Sequence, residues 1–151
     1  MSNDPLRQHE FLQEIGGFLL DATGDDWLEI SLDHCEVDTI SVDDLRVTTR
    51  EGEEQSKELP PGLVETIARL RAEMYREEAG TWFRMVYTIT PPGSFSVDYD
   101  YDSTPEFPFE LDPVTYHNDL QRFPRSSERI PDWLRQALAE AQRVLEERGD
   151  N

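Results

Sequence analysis

Residues 81–102 read "TWFRMVYTITPPGSFSVDYDYD", and this stretch decides the fold. Polar and apolar side chains alternate on both sides of Pro91–Gly93, which predicts a β-hairpin with a three-residue turn. One register keeps the apolar side chains together, because facing residues of a hairpin share a face. The shared apolar face is predicted to hold Phe83, Met85, Tyr87, Ile89, Phe95, Val97, Tyr99 and Tyr101. The opposite face is predicted to pair Thr90 with Ser94, Val86 with Asp98, Arg84 with Asp100 and Trp82 with Asp102.

The second strand of this hairpin carries Asp98, Asp100 and Asp102 at every second position. On a regular strand these carboxylates point the same way at steps of about 7 Å, which is comparable to the spacing of phosphates along a nucleic-acid strand. Residues 94–120 contain seven acidic residues and no lysine or arginine. The row is therefore a candidate for binding a basic partner in the manner of a phosphate backbone, and the alternative is a solvated strand face.

A metal site is the other interpretation of the three aspartates. A calcium-binding EF-hand loop starting at Asp98 needs glycine at its sixth position and glutamate at its twelfth, where this chain has Ser103 and Phe109. The outer carboxylates of a regular strand also lie about 13 Å apart, too far to share one ion. We therefore expect no metal and no other cofactor.

The region before the hairpin is predicted to form a helix, strands and a second helix. Asn3 or Asp4 caps a helix from Pro5 to about Ala22, and Leu28, Ile30 and Leu32 alternate as in a strand with one buried face. The apolar positions then switch from Ile40 and Val42 to Leu45 and Val47, which predicts a bulge or turn at Asp43 and Asp44. Leu63, Ile67, Leu70 and Met74 recur at helical spacing, so a central helix is expected up to Gly80.

The region after the hairpin is predicted to be irregular and then helical. Four prolines interrupt it, which indicates an ordered loop at about 103–130 with one short helical turn near residues 114–120. Pro131 opens a last helix. The whole chain, 1–151, therefore reads as a single α+β domain: an antiparallel sheet of about four to five strands with an N-terminal, a central and a C-terminal helix.

The net charge of −19 excludes several partners. Nucleic acid and anionic membranes would be repelled, whereas a basic protein would be attracted. Residues 21–58 alone carry 13 acidic and 3 basic residues. This second acidic segment adds Asp25, Asp26, Asp43 and Asp44 to the candidate partner-binding residues.

The residue pattern indicates neither an enzyme nor a secreted protein. His34 and Cys35 are neighbours on a predicted strand, so their side chains point to opposite faces and cannot act as a base and nucleophile pair. Cys35 is the single cysteine, and neither a targeting segment nor an apolar run of about 18 residues is visible. We therefore expect a cytoplasmic protein that is not an enzyme.

Several pieces of the chain resemble one protein family. The N-terminal helix, "DDWLEISL", the helix before Gly80, the hairpin and the later "YHNDLQRFPRSSERIPDWL" are similar to the YezG-like antitoxins, the immunity proteins of bacterial polymorphic-toxin systems. The resemblance implies a non-enzymatic protein that binds and neutralises a cognate secreted toxin domain, often a nuclease. The alternative is an acidic secretion chaperone or adaptor, which would need a large exposed apolar surface. The oligomeric state stays open.

Overall fold

The computed structural model describes residues 4–149, which form an α+β fold with a five-stranded antiparallel sheet. The strand order is β3-β2-β1-β4-β5, so β3 and β5 are the two edges. The strands are β1 Glu29–Val37, β2 Ile40–Thr48, β3 Glu54–Lys57, β4 Arg84–Thr90 and β5 Ser94–Asp100. The helices are α1 Pro5–Thr23, α2 Leu63–Glu73, α3 Pro113–Arg122 and α4 Asp132–Glu147, with a short 3-10 helix at Ser127–Arg129.

Helices α1 and α2 cover one face of the sheet and form the main core with it. Asp4 caps α1 by accepting a hydrogen bond from the Leu6 amide at 3.0 Å, and Pro5 occupies the first turn as predicted. The buried members of this core are Phe11, Ile15, Leu19, Ile30, Leu32, Leu45, Val47, Leu63, Ile67, Leu70, Trp82, Met85, Tyr87 and Ile89. Leu28 was expected to face this core, but it precedes β1 and is 46% exposed.

The β4–β5 hairpin has the predicted register, with Arg84 opposite Asp100, Val86 opposite Asp98 and Thr90 opposite Ser94. The expected Trp82–Asp102 pair is wrong, because β4 begins at Arg84 and β5 ends at Asp100. The expected face of Phe83 is wrong as well. Trp82 is fully buried in the main core, and Phe83 instead packs with Val37 in a second cluster.

Strand β2 is continuous, so the predicted bulge or turn at Asp43 and Asp44 is wrong. Every residue from Glu29 to Val37 faces one residue of Ile40–Thr48 without interruption. The apolar positions change because the two halves of the strand use different faces. Leu45 and Val47 join the main core, while Val42 lies opposite Cys35 on the other face.

One predicted boundary and one predicted connection also differ from the structure. Helix α2 ends at Glu73, and Gly80 closes a separate turn in which its φ of +78° suits a residue without Cβ. The segment at 54–57, expected to be a polar connection, adds β3 to the edge of the sheet.

The proline-rich segment is more helical than its sequence indicates, because α3 is ten residues long rather than one short turn. Asp112 caps α3 by accepting a hydrogen bond from the Val114 amide, and Pro113 stands at its first turn. Helices α3 and α4 then enclose a second apolar cluster around Val37, Phe83, Tyr116 and Leu134. Prolines in this chain therefore begin helices, as Pro5 and Pro113 do.

None of the helices within residues 4–149 has both the length and the apolar composition needed to cross a membrane.

Candidate functional site: an acidic sheet face

Within residues 4–149, α3 and α4 cover one end of the sheet face opposite α1 and α2. We call the uncovered part the open face. Alternation along each strand and the register between strands place its side chains in rows. Its central residues are Asp33 on β1, Asp44 and Arg46 on β2, Arg84 and Val86 on β4, and Asp98 and Asp100 on β5.

Asp98 lies on the edge strand of the open face and is exposed. It stands opposite Val86, and its carboxylate makes no ion pair with any residue from 4 to 149. An unpaired exposed carboxylate keeps its full charge available for a cationic partner. Of the predicted row of three aspartates, Asp98 is the member that best fits a binding role.

Asp100 shares the open face with Asp98 but also has a structural task. Its Oδ1 accepts hydrogen bonds from the backbone amides of Asp102 at 3.0 Å and Ser103 at 2.9 Å. The Ser103 bond in particular lowers the pKa of the Asp100 carboxyl, because both amides stabilise the charged form. Asp100 therefore shapes the turn that ends β5.

Asp102 does not continue the row of Asp98 and Asp100. The chain turns after Asp100, and the carboxylate of Asp102 lies 3.6 Å from Nη1 of Arg125. Its backbone oxygen accepts a hydrogen bond from Trp133 Nε1 at 2.6 Å. The predicted row therefore has two members on the open face, and the third lies in a different cleft.

Asp33 and Asp44 face each other across β1 and β2 on the open face. Two like charges at this position repel, so each needs a cation nearby. Arg84 forms two hydrogen bonds with Asp33, at 2.9 and 2.6 Å, and Arg46 contacts Asp44 at 2.8 Å. Arg84 lies opposite Asp100 in the hairpin, but its guanidinium forms a bidentate pair with Asp33.

Asp43 points to the interior. Its predicted role as an exposed partner-binding residue is therefore wrong. Its side chain is 6% exposed, and Oδ1 lies 2.5 Å from Nδ1 of the fully buried His34. Nε2 of His34 contacts Oε1 of Glu36 at 2.8 Å. Burial by itself lowers the pKa of His34, but hydrogen bonds and charge from the two carboxylates outweigh it and raise the pKa to about 9.

Asp25 and Asp26 are exposed on the connection between α1 and β1, outside the open face. Oδ1 of Asp26 accepts a hydrogen bond from the Arg50 amide at 3.0 Å and so ties this connection to the β2–β3 turn. The structure does not bring these two residues together with Asp98 and Asp100.

A cleft of about 370 Å³ lies on the open face between β2, β4 and the segment after β5, and we call it the acidic cleft. Its lining residues are Asp33, Cys35, Val42, Asp43, Asp44, Arg84, Asp100, Ser103, Thr104, Pro105 and Glu106. Carboxylates outnumber the single guanidinium, so the cleft favours a cationic group. Asp33 could have been found from its alternation with Leu32. Glu106 could not have been found in this way, because no sequence pattern predicts that its segment folds back over the sheet.

The acidic cleft does not activate Cys35 for nucleophilic chemistry. Burial raises the pKa of the Cys35 thiol, and the charge of Asp33 raises it further. His34, the adjacent imidazole, engages both ring nitrogens with Asp43 and Glu36 on the other side of the sheet. Among residues 4–149, no three His, Cys, Asp or Glu side chains are placed to hold a metal ion together.

No protein-family model matches this chain, and no curated protein matches it either.

Proposed function

We propose that this protein is an immunity protein that binds and neutralises a basic toxin domain of a bacterial polymorphic-toxin system. The observation that carries the proposal is the open face, where Asp44, Asp33 and Asp98 follow one another across β2, β1, β4 and β5. A nuclease toxin would present a basic cleft to such a face. The resemblance of the hairpin and helices to the YezG-like antitoxins supports the same class.

The charge arrangement of the open face suits rapid and oriented association. The net charge of −19 attracts a cationic domain over distance, and the exposed carboxylates then fix its orientation. Arg84 and Arg46 hold Asp33 and Asp44 in defined positions, so little side-chain order has to be created on binding. Asp98 adds an unpaired charge at the sheet edge.

Mimicry of a phosphate backbone is limited to two residues of β5. Asp98 and Asp100 lie on the same side of the strand at a separation of about 7 Å, as two successive phosphates would. The hydrogen bonds from Asp102 and Ser103 hold the Asp100 carboxylate in its charged form. Asp33 and Asp44 extend the negative surface across the sheet rather than along the strand.

The alternative, a secretion chaperone, gains no support from the apolar surface. Four large apolar side chains are exposed within residues 4–149: Leu6, Leu20, Leu28 and Phe109. Leu6 and Leu20 lie near opposite ends of α1, and Phe109 belongs to the segment between β5 and α3. A client-holding protein needs a contiguous apolar surface, and these positions are dispersed along the chain.

Stopped-flow association with the purified toxic domain encoded beside the gene tests the proposal. Asp44→Asn/Asp98→Asn removes two charges from the open face, and Asp21→Asn/Asp25→Asn removes two from the region around the end of α1. At 50 mM salt we expect the first variant to associate about tenfold more slowly and the second to change little, because steering depends on charge near the interface. Equal rates for the two variants would rule out the open face. Failure of the unaltered protein to bind or inhibit the domain would overturn the function itself.

A further inference from the structure

A second cleft lies behind the turn that follows β5 and has the opposite charge to the open face. It encloses about 380 Å³ and is lined by Arg76, Ala79, Tyr101, Asp102 and Arg129. We call it the arginine cleft. Two guanidiniums and one carboxylate line it, although the chain as a whole carries a net charge of −19. Such a local reversal of charge indicates a site for an anion.

Backbone hydrogen bonds fix the two segments that carry the arginines of the cleft. Arg76 and Gly80 exchange backbone hydrogen bonds of 3.0 and 2.9 Å and so close the turn after α2. The Ser126 amide donates to the Glu78 carbonyl at 2.7 Å, and the Arg129 amide donates to the Ser126 carbonyl at 2.9 Å. The two segments that supply Arg76 and Arg129 are therefore joined to each other. The backbone of the site is therefore fixed before a ligand binds, whereas the two arginine side chains are exposed.

A third guanidinium, that of Arg125, does not line the cleft but contacts three of its lining residues, Tyr101, Asp102 and Arg129. The side chain of Arg125 is 2% exposed and donates hydrogen bonds to the carbonyls of Tyr101 at 2.7 Å, Thr81 at 3.1 Å and Arg129 at 3.1 Å. Burial lowers the pKa of Arg125, because a buried cation is poorly solvated. Its nearest carboxylate is that of Asp102, 3.6 Å away and 81% exposed.

Arg76 and Arg129 themselves lack counter-ions within the described chain. Eight other arginines form ion pairs with carboxylates: Arg7, Arg46, Arg71, Arg84, Arg122, Arg125, Arg143 and Arg148. Within residues 4–149, no ion pair is formed by Arg76 or Arg129, nor by Arg50, Arg69 and Arg135, which do not line the cleft. The charge of Arg76 nevertheless acts on the cleft. Burial raises the pKa of Tyr101, and the charge of Arg76 opposes this increase.

We propose that the arginine cleft binds a small phosphate monoester, with its phosphate between Arg76 and Arg129 and its organic part against Tyr101 and Ala79. A phosphate dianion matches guanidinium forks, which present several donors in a fixed plane. The volume of about 380 Å³ exceeds that of a single ion and lies in the range of small-molecule sites. The proposal does not rest on the immunity function.

Asp102 allows a test in which the direction of the change in phosphate affinity is predicted. Its carboxylate lies beside Arg125 and partly neutralises the cleft. An entering phosphate is repelled by this carboxylate and attracted by the arginines. Removal of the Asp102 charge should therefore tighten binding, while removal of either exposed arginine should weaken it. A structural role for these residues would not produce opposite effects on affinity.

The experiment is a titration of the full-length protein with phenyl phosphate at constant ionic strength, followed by amide shifts in ¹H–¹⁵N spectra. The variants are Arg76→Gln, Arg129→Gln and Asp102→Asn, and Arg50→Gln is the control because Arg50 is exposed in the β2–β3 connection, at the far edge of the sheet. We expect saturable shifts at 76–80, 101–102 and 125–129. Each cleft arginine variant should bind about tenfold more weakly, as expected for loss of one charged hydrogen-bonding partner.

Two further ligands separate the possible sources of the phosphate. Inorganic phosphate should bind more weakly than phenyl phosphate, because it cannot contact Tyr101 and Ala79, and acetate should bind weakest. Asp102→Asn should bind phenyl phosphate several-fold more tightly than the unaltered protein, and Arg50→Gln should bind it equally well. The proposal fails if the shifts do not saturate, if Arg50→Gln weakens binding as much as Arg76→Gln, if Asp102→Asn does not tighten it, or if inorganic phosphate binds as tightly as the ester.

Discussion

Arg71 of α2 and Asp119 of α3 form a bidentate ion pair that is buried from solvent on both sides. The two hydrogen bonds measure 2.7 and 2.9 Å, and Nε of Arg71 also donates to the carbonyl of Trp82 at 2.7 Å. Oδ1 of Asp119 accepts a further bond from the Asp38 amide in the β1–β2 turn. This single pair therefore connects α2 and α3 with the β1–β2 turn and with the segment that leads into β4.

Removal of one partner of this pair should be among the most costly changes in the protein. Asp119→Ala leaves the Arg71 guanidinium buried without a counter-ion, so we expect a loss of about 3–5 kcal/mol in the free energy of unfolding. Urea denaturation measures it. Glu140→Ala is the matched control, because its ion pair with Arg143 is exposed and such pairs contribute roughly 0–1 kcal/mol. A loss below about 1 kcal/mol for Asp119→Ala would contradict a structural role for the pair.

Two adjacent glycines of α1 should respond oppositely to alanine. A Cβ at Gly16 would lie 2.7 Å from the hydroxyl of Tyr87, which donates a hydrogen bond to the Leu12 carbonyl. A Cβ at Gly17 would meet nothing within 4 Å. Gly17→Ala should stabilise by about 0.5–1 kcal/mol through helix propensity, whereas Gly16→Ala should destabilise by about 1–3 kcal/mol through overpacking. Thermal unfolding of both variants measures this difference. Equal shifts in Tm would show that Tyr87 moves aside freely.

Stability should fall as the pH rises through the titration of His34. The pKa of His34 is raised from 6.5 to about 9 in the folded protein, so its proton is bound more tightly there than in the unfolded chain. The resulting stabilisation is fully present below about pH 6.5 and is lost by about pH 9, a change on the order of 3 kcal/mol. Urea midpoints at several pH values between 6 and 9.5 measure this change.

His34→Gln serves as the control for the pH dependence, because glutamine does not titrate. The variant should be less stable at pH 6 than the unaltered protein, and its stability should change less between pH 6.5 and 9. If the two proteins show the same slope, another group is responsible for the pH dependence and the imidazole is not charged in the folded state.

Asp100 and Asp98 offer a matched pair on one strand. Asp100→Ala removes the acceptor for the Asp102 and Ser103 amides and should cost about 1 kcal/mol, as for the loss of a helix cap. Asp98→Ala removes an exposed side chain that makes no such bond, so we expect a change within about 0.5 kcal/mol. Chemical denaturation compares them directly. A larger loss for Asp98→Ala would mean that the structural and the exposed aspartate have been interchanged.

The sequence by itself determined the α+β class, the start of α1 and the register of the β4–β5 hairpin. These features depend on short-range patterns, because alternation and turn length allow one register that buries Met85, Tyr87 and Ile89 together. The same short-range patterns also led to one wrong prediction. The switch of apolar positions after Val42 was interpreted as a bulge in β2, whereas Val42 and Leu45 use opposite faces of one straight strand.

Only the tertiary structure decided which carboxylates are available at the surface. Asp43 and Asp44 are adjacent in the chain, yet Asp43 lies against the buried His34 and Asp44 stays on the open face. Asp102 left the row of Asp98 and Asp100 because the chain turns toward Arg125. The partners responsible, like Asp119 for Arg71, come from distant parts of the chain. These partners interact across space rather than along the chain. The periodicity that predicts a strand or helix therefore does not identify them.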